Sequence, residues 1–381
     1  MSHKRFLFHI RPKMIFSFLL TGLIPLLITG YLGSSLAKEA LLDQSFDNLK
    51  VIQELRKGEV KASLERMVEE IQRLPDLIEI KNLSRSINEY QKREGVSGNM
   101  ILDLPEYREQ RKSSLRFLKN EAEAYHFDDF YIISADHGDV LLSINEGWEL
   151  GTNLEYGAYR DSGLADLWRH TVGSGKTTMI DFAPYEPDNN DLYAFLGTPL
   201  FDETESTINI AVFKIGPKFI TEILNSRRGM GKTGESYLVA YNAKEDNYSL
   251  RSDMTSMDYS TGYTHSSNLP YWDDAREAGQ KSGEGTYMDS YGNEVLVAYS
   301  MVPLLDNAWY LISKINKDEV LSPIDALFRI IFLCGLVIVI VVIIGALFIA
   351  SNITGPIIAS KEFAYKISHG NLDGQLDFEN R

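Results

Sequence analysis

The sequence predicts an α+β membrane protein: a long N-terminal helix and two copies of a mixed α/β module, held between two membrane-spanning helices. Three observations carry this. Met14 to Ala37 and Ile330 to Ala350 contain no charged residue, and each run is long enough to cross the roughly 30 Å hydrocarbon core as a helix. After the first run, apolar residues recur in steps of three and four. Beyond Asp129 the period changes, and a series of short apolar runs then occurs twice.

The flanks set the orientation. Lys4, Arg5, Arg11 and Lys13 precede the first run without an acid, and Lys361 and Lys366 follow the second with only Glu362 between them. Basic residues resist translocation, so both termini are predicted in the cytoplasm and residues 38–327 outside. Ser34-Ser35-Leu36-Ala37 also fits a signal-peptide cleavage site. The run before it exceeds the roughly 7 to 15 residues of a signal h-region, so an uncleaved anchor is predicted.

Net charge is −15. The N-terminal tail contributes four basic residues, and the segment from Arg329 onward is balanced. The outer region is therefore more acidic than the chain as a whole. Such a surface repels polyanions and argues against a nucleic-acid partner; it equally suits a solvated domain outside the cell. The one cysteine, Cys334, lies in the second apolar run. The outer region thus has no disulfide and must rely on its core, and its length predicts two modules.

The long helix is read from Leu42, Phe46, Leu49, Ile52 and Leu55, then Val60, Leu64, Met67, Ile71, Leu74 and Ile78. This spacing is one face of a helix, which packs on its own domain, on a second copy of itself, or on both along different parts. A second helix is predicted over 106–124, after a Gly/Ser-containing break. Phe130–Ile133 and Val140–Leu142 flank Ala135-Asp136-His137-Gly138 and predict a β-hairpin. Further strands are predicted over 177–182, 192–200 and 208–215. Ser236–Val239 echoes Phe130–Ile133, Thr286–Asp289 echoes Thr178–Asp181, and Ala298–Leu304 echoes Ala194–Leu200. The offsets stay within 104 to 108 residues, which argues for a duplicated module whose first copy carries the larger loop, 145–172.

Several motifs then resemble one family. They are Gly151-Thr152-Asn153-Leu154, Tyr159–Ala165, Asp181-Phe182-Ala183-Pro184-Tyr185, Gly229–Val239 and Trp309–Ile312. Together, over residues 38 to 325, they resemble the double-Cache sensor domains of bacterial chemoreceptors and related sensor kinases. The resemblance implies two PAS-like modules with antiparallel sheets, membrane-distal and membrane-proximal, and a small-molecule pocket in the distal one. Thr354-Gly355-Pro356-Ile357, Phe363, Ala364, Ile367 and Gly370-Asn371-Leu372 resemble the first half of a HAMP linker, with proline early in its helix where a missing N–H costs little.

The expected organisation is a cytoplasmic tail (1–13), first membrane helix (14–37), helical stalk (38–127), distal module (128–228), proximal module (229–326), second membrane helix (327–350) and partial HAMP linker (351–381). The resemblance further implies a multi-pass protein of the bacterial inner membrane with a periplasmic or extracellular sensor. It would act as a homodimer and signal to cytoplasmic proteins through a C-terminal module not contained in this chain. A methyl-accepting chemotaxis output is ranked first. A histidine kinase or diguanylate cyclase, or a tethered solute-binding protein without output, are the alternatives.

Two glycine-rich strings mislead. Gly173–Thr178 ends like a P-loop, but His170 stands where its first glycine belongs and a strand follows. Gly229–Gly234 satisfies G-x-G-x-x-G, yet it follows a helix and precedes a strand, the reverse of the dinucleotide-binding order. Both are predicted to be turns. His126, His137, His170 and His265 lack ligand spacing, and no nucleophile–base grouping is visible. No metal, cofactor or enzymatic activity is expected.

The candidate pocket lies in the long loop of the distal module and the strand facing it. Arg160 can clamp a ligand carboxylate in bidentate fashion, or bridge Asp161 or Asp181 structurally. Asp161 or Asp181 can pair with a ligand ammonium. Tyr159, Trp168, Tyr185 and Tyr193 can supply aromatic walls, with core packing on the Leu164–Leu167 face the alternative for Trp168. Amino-acid-binding family members place Trp-Tyr shortly after a pocket arginine, whereas Arg160 is followed by Asp161-Ser162. The ligand is therefore expected to be a small organic acid or amine. In the proximal module, Asp273 or Asp274 of Tyr271-Trp272-Asp273-Asp274 is expected to cap a helix.

Overall fold

The computed structural model describes residues 3–94, 102, 104–226, 228–243, 245–255, 260–262, 264–265, 269–305, 307–349 and 355–369. The expected break near 95–100 and the Gly370-Asn371-Leu372 end of the HAMP-like segment lie outside them. The chain divides into two units, Met1–Gln44 with Val320–Arg381, and Ser45–Glu319. Two helices, His3–Arg73 and Lys317–Ile349, run from one unit into the other.

In the first unit the apolar parts of these helices are long and apolar enough to cross a membrane. Gly22 faces Ile338, Leu26 faces Gly335 and Gly30 faces Ile331, so the two segments run antiparallel with a glycine at each close approach. Leu27, Phe332 and Val341 are each about three-fifths exposed or more, the surface a bilayer would cover. Helix Gly355–Ser368 follows.

The second unit begins as helix His3–Arg73 turns Leu49, Ile52, Val60, Leu64, Met67 and Ile71 inward. The predicted face is real but shorter than its sequence period. Pro75, which has no N–H to donate, ends the helix in a single 3-10 turn, Leu74–Asp76, and Ile78–Glu94 is a separate helix. Helix Pro105–Tyr125 follows and stops at His126, whose backbone is left-handed.

The first sheet comprises β1 (Asp129–Ser134), β2 (Val140–Ser143), β3 (Thr178–Tyr185), β4 (Asp191–Phe201) and β5 (Thr207–Ile215), antiparallel in the order β2-β1-β5-β4-β3. The second comprises β6 (Glu235–Asn242), β7 (Asn247–Leu250), β8 (Thr264–His265), β9 (Gly283–Met288), β10 (Glu294–Leu304) and β11 (Asn307–Asn316), in the order β8-β7-β6-β11-β10-β9. Without β8 the two orders are the same, and each sequence echo falls on equivalent strands: β1 with β6, β3 with β9, β4 with β10.

Both faces are covered at β1, β2 and most of β5 and β6, which is why these strands read as nearly unbroken apolar runs, whereas the edge strand β9 has no buried residue. Phe130 and Ile132 face the helical stalk, while Tyr131 and Ile133 face helix Gly163–Ser174 through Leu164, Leu167 and Trp168. The stalk-side core continues into the second sheet through Leu238, Trp309 and Leu311. The far face of that sheet is covered by Tyr271, Trp272 and Ala275 of helix Pro270–Ala278. Asp273 and Asp274 do not cap this helix, contrary to expectation. Leu269 and Pro270 open it, and the two carboxylates instead accept hydrogen bonds from the hydroxyls of Tyr248 (3.0 Å) and Tyr287 (2.6 Å).

A polar clasp joins the sheets. A bulge in β3 between Ile180 and Ala183 turns Asp181 toward the second sheet. Its carboxylate accepts from Arg251 Nε (3.0 Å) and Nη2 (2.8 Å) and from the Trp309 indole N–H (3.0 Å). Removing it leaves a nearly buried guanidinium without its counter-charge, held only through Nη1 by Ser249 and Leu250, and a buried indole N–H unpaired. Asp181→Ala is therefore expected to cost about 3–5 kcal/mol in chemical denaturation of the full chain. Asp181→Leu combined with Arg251→Met should recover much of that loss.

A second polar contact joins the stalk helices. Glu70 is bound by Arg73 Nε at 3.1 Å, and Glu121 Oε2 is buried without a partner among the described residues. Burial, then the Glu70 charge and a hydrogen bond with Glu70, push the Glu121 carboxyl up against the pull of Arg73. The folded chain holds this proton more tightly than the unfolded chain does. The stabilisation is complete below the ordinary glutamate range and is lost as pH rises through the elevated value. Melting temperature against pH should show this decline in the native chain, and Glu121→Gln should flatten it.

Candidate ligand-binding site

The site grows from the β2 end of the first sheet. After β2 the chain makes a turn in which Leu150 N–H reaches Gly147 O (3.1 Å) and Thr152 N–H reaches Glu149 O (2.9 Å). It then bonds back to β2, with Gly151 N–H on Val140 O and Val140 N–H on Thr152 O. Asn153 secures the next bend: its Nδ2 donates to Asp139 Oδ1 (2.8 Å), and its Oδ1 accepts from Glu155 and Tyr156 N–H. Ser162 caps helix Gly163–Ser174 by accepting from Ala165 N–H.

This framework places Glu149 inside the protein with no exposed surface. Its Oε1 accepts from the Tyr131 hydroxyl at 2.6 Å. Among the described residues, Glu149 Oε2 and the neighbouring Tyr185 hydroxyl are both buried without a hydrogen-bond partner. A buried carboxylate oxygen costs free energy unless something donates to it. Burial, and then the Glu149 charge, drive the Tyr185 hydroxyl far above the usual tyrosine range.

On the other side of Tyr185 lies Lys214 of β5, itself nearly inaccessible. Its Nζ contacts Asp188 and stands 4.4 Å from the Tyr193 ring centre and 5.4 Å from that of Tyr185. Tyr185 meets Tyr193 edge-on at 6.1 Å. Burial and the Asp188 and Asp128 carboxylates push the Tyr193 hydroxyl up to about 12. Asp128 accepts from Gly216 N–H at 2.5 Å, and burial raises its carboxyl despite that bond and Lys214. Asp129 is fully engaged with Ser143 and the main chain of Phe130 and Ile144. The result is a tyrosine-lined cluster in which Glu149, Asp188 and Asp128 gather around Lys214.

Of the residues selected from the sequence, Tyr185 and Tyr193 meet in this cluster. Tyr159 packs at its edge, its hydroxyl raised by burial and then by Glu186 and Glu149. Arg160 and Asp161 point to solvent: their side chains are 60% and 89% exposed and lie 3.4 Å apart. Trp168 is core, with its indole N–H on Ser134 O at 2.9 Å, and Asp181 is held in the clasp with Arg251. Sequence reasoning missed Tyr131, Glu149, Asp188 and Lys214. Lys214 was detectable as a lone cation within an apolar strand buried on both faces.

The second sheet closes the equivalent position. Lys314 of β11 corresponds to Lys214, and its Nζ pairs with Glu235 of β6 at 3.3 Å, both side chains being at most 4% exposed. In the first sheet Asp129 stands opposite Lys214 in the register, but it is tied elsewhere and the lysine turns to Asp188. Glu149→Gln would keep an acceptor for Tyr131 and remove the charge. It is expected to stabilise the unliganded chain by about 1–3 kcal/mol, read as a higher melting temperature; a lower one would contradict this assignment.

The sequence profile of the Cache domain matches residues 36–324. No curated protein sequence matches the chain. Among solved structures, an extracellular ligand binding receptor from Desulfohalobium retbaense DSM5692 aligns at 12% identity and TM-score 0.40, over 66% of this chain and 38% of that one. The ligand-binding domain of Pseudomonas fluorescens chemoreceptor CtaA, in complex with L-isoleucine, aligns at 11% identity and TM-score 0.44, over 75% of this chain and 98% of that one. The ligand binding domain of Pseudomonas aeruginosa PAO1 amino acid chemoreceptor PctB, in complex with L-Gln, aligns at 15% identity and TM-score 0.42, over 72% and 92%. By the profile match over most of its length, the chain belongs to the Cache domain family.

Proposed function

We propose that this chain is the sensing part of a transmembrane chemoreceptor, and that its first Cache module binds a small solute carrying a cationic amine. One observation carries the choice of ligand: Glu149 Oε2, fully buried and unpartnered among the described residues, beside the buried hydroxyl of Tyr185. An ammonium donates to both and neutralises the carboxylate. The rings of Tyr131, Tyr159, Tyr185 and Tyr193 offer faces on which a cation is favoured. The excess of acids over Lys214 makes a purely anionic ligand the poorer fit. The role is binding rather than catalysis.

In this reading both termini lie in the cytoplasm, residues 38–327 lie outside the bacterial inner membrane, and helix Gly355–Ser368 belongs to a HAMP linker feeding a chemotaxis-type output. The receptor works as a homodimer. Val51, Leu55, Gly58 and Ala62 repeat in steps of four and three along the exposed side of the stalk, and two copies meet there. A ligand shifts the receptor only by its differential affinity for two arrangements of that dimer.

The test is a melting-temperature screen of the full chain in lipid nanodiscs against monoamines, polyamines, quaternary amines, amino acids and dicarboxylates. Amines should raise the melting temperature, since a ligand bound only by the native state stabilises it, and dicarboxylates should not. Stabilisation by dicarboxylates alone would overturn the ligand class, and no response from any compound would count against the sensor itself.

A further inference from the structure

Away from the site, one loop is held from two directions. Residues 228–234 are the last part of the connection from the short helix Lys218–Leu224 to β6. From the stalk, Asn48 Nδ2 donates to Gly229 O at 2.9 Å, and Ile52 packs so near Gly229 that a Cβ there would lie 3.3 Å from its Cδ1. From the far end of the unit, Glu319 reaches back across the chain. Its Oε1 accepts from Lys232 N–H (2.7 Å), and its Oε2 accepts from the N–H (2.8 Å) and hydroxyl (2.6 Å) of Thr233. The Thr233 hydroxyl oxygen in turn accepts from Asn316 N–H at 3.1 Å. Met230 is buried beneath the loop.

Gly231 makes this geometry available. Its φ is +67°, and a Cβ would stand 2.5 Å from Glu319 Oε1, so a larger residue would be strained and would displace the carboxylate. Glu319 sits in the first turn of helix Lys317–Ile349, where an acid is favoured by the helix dipole alone. The dipole does not account for three donors supplied from 86 to 87 residues away. Burial would raise this carboxyl, but the Thr233 hydroxyl and the Lys232 and Thr233 amides outweigh it and hold it below the usual range. The contact is therefore intact near neutral pH and is lost only as pH falls through that lowered value.

We propose that loop 228–234 is a coupling joint between the stalk and the helix beginning at Lys317, and that Glu319 is the positioning residue that closes it. Its use in signalling rests on the sensor reading above, because Lys317–Ile349 is there the helix that carries the signal inward. Its existence as a joint does not. A loop fixed at one side only would act as a cap; one fixed at both sides passes displacement of Asn48 and Ile52 to the root of the output helix.

The test is a double-mutant cycle with no ligand, on the full chain in nanodiscs, read by hydrogen exchange at 230–235 and at the first turn from Lys317. The variants are Asn48→Ala, Glu319→Ala and both together, with Thr233→Val replacing Glu319→Ala if the latter folds poorly. A joint predicts that Asn48→Ala speeds exchange at the first turn from Lys317. It also predicts that the double variant departs from the product of the single effects by about fivefold or more. Glu319→Gln, which keeps one acceptor, should restore part of the protection. Effects that multiply independently, or an Asn48→Ala effect confined to residues near 229, would overturn the joint. The result stands whether or not any solute binds, so failure of the sensor reading and failure of the joint are told apart.

Discussion

A carboxylate with no accessible surface and one oxygen left without a donor is the constraint from which the site follows. Glu149 is not a surface acid caught in a fold; the turn after β2 and the back-bonding of Gly151 and Thr152 drive it inside. An isolated buried charge is expensive. A protein keeps one where a bound group compensates it, and proteins give up stability at such sites for function. The tyrosines around it provide one fixed donor, from Tyr131, and aromatic faces, surroundings that suit a cation better than a second acid.

The duplication makes the same point by contrast. Both sheets share a strand order and both place a lysine on the last strand of the module. In the second module Lys314 is answered by Glu235 across the register, and the neighbouring tyrosines bond to each other and to Asp273 and Asp274. There the lysine's charge is answered within the sheet, although Ser300 Oγ on β10 is buried without a partner among the described residues. In the first, the acid opposite Lys214 is occupied elsewhere and polar groups remain unanswered. The same strand order thus carries a paired lysine in one copy and, in the other, the cluster proposed above as the site. The Asp181 clasp and the shared stalk-side core tie the copies together, so a change in the first sheet has a packed route toward the second.

Much of the fold was legible because it depends on periodicity. Uncharged runs gave the apolar helices, three-and-four steps gave the stalk, and three echoed segments fell on equivalent strands. Pro75 escaped because Ile78 continues the helical period across a break that the backbone imposes. The site was less legible. Arg160 and Trp168 were chosen for residue type. Type does not say which way a side chain points, and the turn after Gly157 sends Arg160 outward while helix Gly163–Ser174 sends Trp168 into the core. The place of Asp181 was hidden for a related reason: a bulge invisible in the sequence rotates it toward the other sheet. Lys214 carried a signal, since a cation in a doubly buried strand needs a reason. Glu149 carried none, because an acid in a polar loop is unremarkable until the loop is seen to fold inward.

A ligand whose positive charge answers Glu149 must bind less tightly once that charge is gone. Calorimetric titration of the full chain in nanodiscs, using the amine with the largest melting shift, tests it most directly. The account predicts that Glu149→Gln weakens binding by about thirtyfold or more, whereas Arg160→Ala leaves it within about twofold. Equal affinity in the native chain and the Glu149 variant would contradict it.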